Sequence, residues 1–188
     1  MGVADDDPAA TSRVPANQTL TLGALLELLC EIPRSVAERG TSMPLISVTR
    51  LRVRSWGLVP QFAVESLKSA RQAERSAGFL GGRLLRNPNN VFRTMTAWND
   101  EAAMNAFRSA GAHGRVMRKL LTWCDEAAVV HWNQESRELP SWQDSHLRMV
   151  KEGRPSKVNH PSPDQTSNRM PAPEPSRIEL TLKAPLRK

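Results

Sequence analysis

The chain has 188 residues, of which 39% are hydrophobic and 24% charged, and a formal net charge of +7. That length suits one well-buried domain with appendages and is a tight fit for two. No apolar run reaches the roughly 20 residues of a membrane span. The two cysteines, Cys30 and Cys124, lie far apart in apolar stretches and form neither a disulfide framework nor a zinc pattern.

The N-terminus carries Asp5, Asp6 and Asp7 and lacks the basic and apolar regions of a secretory signal. Free thiols and no leader are the expectation for a cytoplasmic protein. Residues 1–18 are expected to be disordered. Residues 19–40 place Leu25, Leu28, Leu29, Ile32 and Val36 at helical spacing and predict an amphipathic helix. Basic charge concentrates in the middle: residues 44–132 hold thirteen Lys/Arg against six acids. Those arginines are scattered over every predicted element, without the aromatic pattern of an RNA-binding sheet or a helix-turn-helix, so nucleic acid is not the expected partner.

Leu45–Val53 alternates as a strand, with Ser47, Thr49, Leu51 and Val53 on one face and Ile46, Val48, Arg50 and Arg52 on the other. Gln61–Gly78 follows as a helix, with Gly78 as its stop. Phe79–Arg86 and Val91–Trp98 flank Asn87-Pro88-Asn89-Asn90 and predict a hairpin, with Gly81-Gly82 as a bulge or close approach. Asn99 or Asp100 can cap a helix from Glu101, which Gly111 interrupts. A second helical run from His113 to about Glu126 leads into a buried strand, Ala127–Trp132.

The order is β-α-β-β-α-β over residues 44–132, an α+β, ferredoxin-like split arrangement. Helices on one face leave the other face of the sheet bare. Because neither face of Val91–Trp98 is simply polar, a second copy of the chain is expected to cover it, closing a dimeric α/β barrel. Residues 133–152 predict a short helical appendage anchored by Trp142, Leu147 and Val150. Residues 153–188, which are rich in Pro and Ser, predict a mostly disordered, flexible tail, with Arg177–Lys183 as a candidate docking strand.

His113 is the first candidate site residue. Val116, Met117, Leu120, Leu121, Trp123 and Cys124 fall within about 80° of it on a helical wheel, so the imidazole faces a core or a cavity. A place in the first helical turn disfavours the imidazolium, because the helix N-terminus carries partial positive charge. The neutral ring can act as a base, or it can be a core histidine bonded to a backbone carbonyl. His131 and Trp132 point to opposite faces of the last strand, so one of them looks toward a pocket. No histidine pair has metal-ligand spacing with a carboxylate or cysteine on the same element, and no metal site is predicted. Trp98 either walls a pocket or packs a sheet-helix junction. Arg154 and Lys157 read as a solvated basic tail, with an anion site as the alternative.

The segment Trp98-NDEAAMNAFRSAGAHGRVM-Arg118 resembles the spheroidene monooxygenase family in Trp98, Asp100, Ala103, Met104, Phe107, Gly111 and His113. The strand Val48-TRLRVRS-Trp56 is similar to the first strand of that family. His113 followed ten residues later by Trp123 resembles a pattern grouped with antibiotic biosynthesis monooxygenases of the dimeric α/β barrel superfamily. The resemblance spans roughly residues 45–132 and implies a ferredoxin-like fold and a monooxygenase-like activity on an apolar small molecule. It implies His113 as catalytic base and Thr49, Trp98, Phe107, Met117 and Trp123 as pocket residues. The spheroidene family carries two such units in tandem, so one chain of this length implies a homodimer. Haem-degrading members of the superfamily use an Asn, a Trp and a His where this chain has Thr49, Phe107 and Met117, which argues against that chemistry. The cofactor is either none or haem, and with haem His113 is the first axial candidate. A non-catalytic ligand-binding or assembly module is the other class open to this fold.

Overall fold

The computed structural model describes residues 43–175 and 178–184. The segments expected as a disordered leader (1–18) and an amphipathic helix (19–40), together with Cys30, lie outside the described residues. Strand β1 (Leu45–Val53) is followed by a 3-10 turn, Trp56–Leu58, and helix α1 (Val59–Arg75). Strands β2 (Phe79–Asn87) and β3 (Val91–Trp98) form a hairpin, then come helices α2 (Glu101–Ser109) and α3 (Gly111–Trp123), and strand β4 (Cys124–Asn133). Beyond these lie helix α4 (Trp142–Glu152), the two-residue strand β5 (Arg154–Pro155), a short helix α5 (Pro163–Thr166), and strand β6 (Glu179–Leu182).

The sheet is antiparallel throughout, in the order β5-β4-β1-β3-β2-β6. Its four central strands have the ferredoxin-like arrangement read from the sequence. The β2–β3 turn works because Asn89 and Asn90 both take left-handed backbone angles, φ 57° and 58°, which asparagine tolerates better than most residues. The ladder shifts register between Phe79 and Gly81, the bulge suggested by the paired glycines. Asp100 caps α2, its Oδ1 accepting from the Ala103 amide at 2.8 Å. The last core strand starts three residues earlier than its apolar run suggests, because α3 ends at Trp123 and Cys124 already pairs with Val53.

Two departures from the sequence reading concern the far face of the sheet. Ile46, Val48, Met95, Ala97, Ala128 and Val130 form a core on the face away from α1–α3. This face was expected to seek a second copy. Instead Met149 of α4 is fully buried in that core, with Leu139, Trp142 and Met170 packed against it. The chain covers its own sheet, and a second copy would have to displace this strap or use another surface.

The second departure is the segment read as a disordered tail. Residues 153–175 are tied down by backbone and side-chain bonds despite their prolines. The Ser156 amide donates to the Ala127 carbonyl at 2.8 Å, Asn159 to Leu121 at 2.7 Å, and Ser162 to Asp125 at 3.0 Å. Gln165 brackets Ala127, accepting from its amide and donating to its carbonyl. Proline lacks an amide donor, so a Pro-rich segment docks only where its remaining amides and side chains find partners, and here β4 and the end of α3 supply them. The candidate docking strand is present as β6, paired with β2.

A chain ending at Asn133 loses α4 and bares Ile46, Val48, Met95 and Val130. We expect it to form larger assemblies than the full chain, as read by light scattering behind a sizing column. A truncated chain that stays monomeric and folded would contradict the covering role.

Candidate functional site

Between the near face of the sheet and helices α1–α3 lies a cavity of about 430 Å³. That is within the size range of small-molecule sites. Its floor is a set of small hydroxyl side chains that alternate along the strands, Ser47 and Thr49 on β1 and Thr94 and Thr96 on β3. Phe62 and Ala70 of α1, Met104 and Phe107 of α2 and Val116 of α3 supply the apolar roof. The register explains the contrast with the far face: residues of β1 and β3 with even and odd numbers exchange sides, so Ser47 and Thr96 face the cavity where Val48 and Met95 face the strap.

Trp98 is completely buried and its indole Nε1 donates to Thr96 Oγ1 at 3.0 Å. Its ring stacks on Phe107 with centroids 5.0 Å apart, and Phe107 in turn meets His113 at 4.5 Å. The three aromatic rings form one continuous side of the cavity. Trp98 therefore both packs the sheet-helix junction and walls the cavity.

His113 lines this cavity in the first turn of α3. Its Nδ1 lies 3.0 Å from the carbonyl oxygen of Arg108. A carbonyl only accepts, so Nδ1 carries the proton and Nε2 keeps its lone pair. Burial pushes the imidazole pKa below its ordinary value, the Arg108 carbonyl opposes this, and the Arg108 charge adds to it. The ring is thus neutral near pH 7, with a basic nitrogen that has no hydrogen-bond partner among the described residues. The carbonyl bond expected of a core histidine and the cavity position expected of a reagent occur together, one on each side of the ring.

The position of His113 is fixed by a latch from α1. Gln72 Oε1 accepts from the His113 amide at 3.0 Å, while Gln72 Nε2 donates to the carbonyls of Phe107 and Ala110 at 3.1 and 3.0 Å. Gly111 makes this possible: its φ is +56°, and a Cβ there would lie 2.5 Å from Gln72 Oε1. Gly111→Ala should lower the unfolding free energy by about 1–2 kcal/mol, from the left-handed backbone alone. A denaturant melt measures this, and an unchanged midpoint would contradict it.

His131 resolves the alternative on the last strand. It lines the cavity, whereas Trp132 is buried in the far core beside Met149. Its pKa is also held below the ordinary value, by burial first, then by Arg154 and Arg108, with Glu101 opposing. Thr49, Trp98, Phe107 and Met117 all line the cavity, Met117 at its rim with 43% of its surface exposed. Trp123 does not. It sits in the core behind the cavity wall with Leu51, Val53, Phe62 and Cys124, and Lys119 Nζ lies 5.4 Å from its ring centroid. It closes the end of α3 against the β1–β4 ladder.

Cys124 is buried and burial pushes its thiol up to about 12, so it is no nucleophile. Among the described residues no three His, Cys, Asp or Glu side chains cluster as metal ligands, and no helix is long and apolar enough to cross a membrane. Of the hydroxyl floor only Thr49 is expected from the sequence, because Ser47, Thr94 and Thr96 give no signal until two strands pair.

Fold and cavity together define a ferredoxin-like α+β domain with a ligand-sized chamber between sheet and helices. Residues 45–119 match the family described as antibiotic biosynthesis monooxygenase, a stretch that runs from β1 into α3 and includes His113. This match covers 75 of the 188 residues and makes the β1–α3 part of the chain similar to an antibiotic biosynthesis monooxygenase domain. Solved structures similar to it include SnoaB, a cofactor-independent oxygenase from Streptomyces nogalater, at 18% identity, covering 53% of this chain and 99% of that one, TM-score 0.43. PA3566 from Pseudomonas aeruginosa is 16% identical, covering 51% and 98%, TM-score 0.46. A conserved protein from Methanosarcina mazei Go1 is 11% identical, covering 50% and 95%, TM-score 0.45. No curated protein matches the chain.

Proposed function

We propose that this domain binds an apolar small molecule in the sheet-helix cavity and acts on it as a monooxygenase, with His113 as the base. The observation that carries this reading is the neutral imidazole, with Nε2 unpartnered among the described residues, on the wall of a chamber whose roof is apolar. A substrate methylene flanked by a carbonyl or aromatic rings is acidic enough to yield its proton to such a base. The resulting carbanion passes one electron to dioxygen, the two radicals combine as a peroxide on carbon, and loss of water leaves a carbonyl. The balance is R₂CH₂ + O₂ → R₂CO + H₂O.

The site residues divide the work. Trp98 and Phe107 hold a flat apolar body, the hydroxyls of Ser47, Thr49, Thr94 and Thr96 offer hydrogen bonds to its oxygens, and His113 takes the proton. His131 is a second neutral imidazole on the β4 side of the same chamber. Thr49, Phe107 and Met117, at the positions where haem-degrading relatives carry Asn, Trp and His, line the same chamber without supplying an imidazole. No step here runs through haem.

Anthrone, whose methylene lies between two aromatic rings opposite a carbonyl, is a suitable probe. Oxygen uptake that saturates with anthrone and yields the quinone supports the reading. Tight binding of apolar ligands with no oxygen uptake for any activated methylene would favour a non-catalytic binding module.

A further inference from the structure

The inference rests on the reading that the cavity holds an apolar ligand, and it adds the chemistry of that ligand's head group. Three cationic side chains, Arg108, Arg154 and Lys157, line the cavity, and no Asp or Glu does. None of the three forms an ion pair among the described residues, whereas Arg50 and Arg52 on the far face are paired with Glu126 and Asp125. An unopposed cluster of this kind at the mouth of an apolar chamber favours an anion there.

Two of the cations are held in place by the segment beyond the family match. Arg154 pairs with Val129 in the β4–β5 ladder, two residues from His131. Ser156, between Arg154 and Lys157, donates its amide to Ala127 and accepts from Gln165 Nε2 at 3.0 Å. The backbone carrying both charges is therefore bonded on two sides and is not a loose basic tail. Arg108 comes from the opposite wall, at the end of α2, and its carbonyl holds His113. Arg108 and Arg154 both act on His131, and Arg108 also on His113, which places these two arginines within electrostatic reach of the imidazole side of the cavity.

We propose that the cavity selects an apolar molecule carrying one anionic oxygen group, such as a carboxylate or an ionised enol, with Arg108, Arg154 and Lys157 binding that group. The cations also stabilise negative charge that develops on the ligand when His113 removes a proton. Because all three side chains are exposed, each contact is weak, and their combined preference for an anionic head is on the order of tenfold.

Two fluorescent dyes with the same apolar body separate the possibilities: 8-anilinonaphthalene-1-sulfonate and its uncharged parent, N-phenyl-1-naphthylamine. The full chain should bind the sulfonate roughly tenfold more tightly than the parent, and the gap should narrow as salt is raised. Arg154→Gln with Lys157→Gln should remove most of that advantage and leave the parent unaffected. Thr94→Trp, which fills the chamber from the sheet floor, should weaken both dyes. Equal affinities, or an advantage that survives a triple variant including Arg108→Gln, would overturn the head-group inference while leaving the apolar cavity standing. If Thr94→Trp weakens neither dye, they bind elsewhere, and the cavity reading falls together with the inference.

Discussion

Glu126→Gln should lower the unfolding free energy by about 3–5 kcal/mol, the usual cost of stranding a buried charge. Glu126 on β4 is 1% exposed and anchors the strap to the sheet. Its Oε2 accepts from Arg50 Nη1 at 2.5 Å and its Oε1 from Ser162 Oγ at 2.9 Å, and Arg52 Nη1 forms an ion pair with Oε1 at 2.7 Å. One carboxylate thus joins β1, β4 and the N-cap of α5. The amide keeps the shape and loses the charge. Arg50 is then left buried without a counter-ion, close to Arg93, whose own pKa is pushed down to about 10 by burial and by the charge of Arg50.

Urea unfolding of the single variants and of Arg50→Met with Glu126→Gln gives the coupling directly. The double variant should be more stable than Glu126→Gln alone, because it removes the stranded cation. A loss below about 0.5 kcal/mol for Glu126→Gln, the range of ordinary surface changes, would show that water reaches this network.

His113→Ala should reduce turnover of an activated methylene by about 10²–10⁴-fold, the range expected for a general base. The fold should persist, since among the described residues the side chain makes one hydrogen bond, to the Arg108 carbonyl, beside its contact with Phe107. The pH profile supplies a second reading. The base works as neutral imidazole, and its pKa is depressed, so activity should hold as pH falls through about 6.5 and decline only below that. His131 and His146 are depressed as well, all three chiefly by burial. Unfolded histidines take up protons below about pH 6.5 while these folded ones resist, so stability is full above that pH and falls as pH drops through it. On acidification stability should therefore begin to fall first, near pH 6.5, and activity at a lower pH, and a stability curve flat to pH 5 would contradict the burial of these rings.

The near half of the molecule was legible because its signals are local. Alternation in Leu45–Val53, the Asn-rich turn and the apolar stripe around His113 each follow from a strand, hairpin or helix period. The far half was not, because its contacts are long-range. Met149 and Met170 give no sign in the sequence that they meet Ile46 and Val48, and Pro-rich composition hides a segment whose order depends on the β4 edge. Trp123 shows the limit of the helical wheel. The stripe that contains His113 is wide enough to face both a cavity and a core, and the wheel assigns both sides to one surface. Arg154 and Lys157 read as an anion site or a solvated tail, and pairing with β4 shows only that their backbone is not a loose tail.

The central claim is that His113 presents a neutral, unprotonated Nε2 to a ligand in the cavity. A long-range proton–nitrogen NMR spectrum of the imidazoles at pH 7, recorded with and without N-phenyl-1-naphthylamine, tests it most directly. The account predicts that His113 is neutral with the proton on Nδ1, and that its Nε2 resonance moves when the dye binds. An imidazolium, a proton on Nε2, or an Nε2 signal that saturating dye leaves unmoved would contradict it.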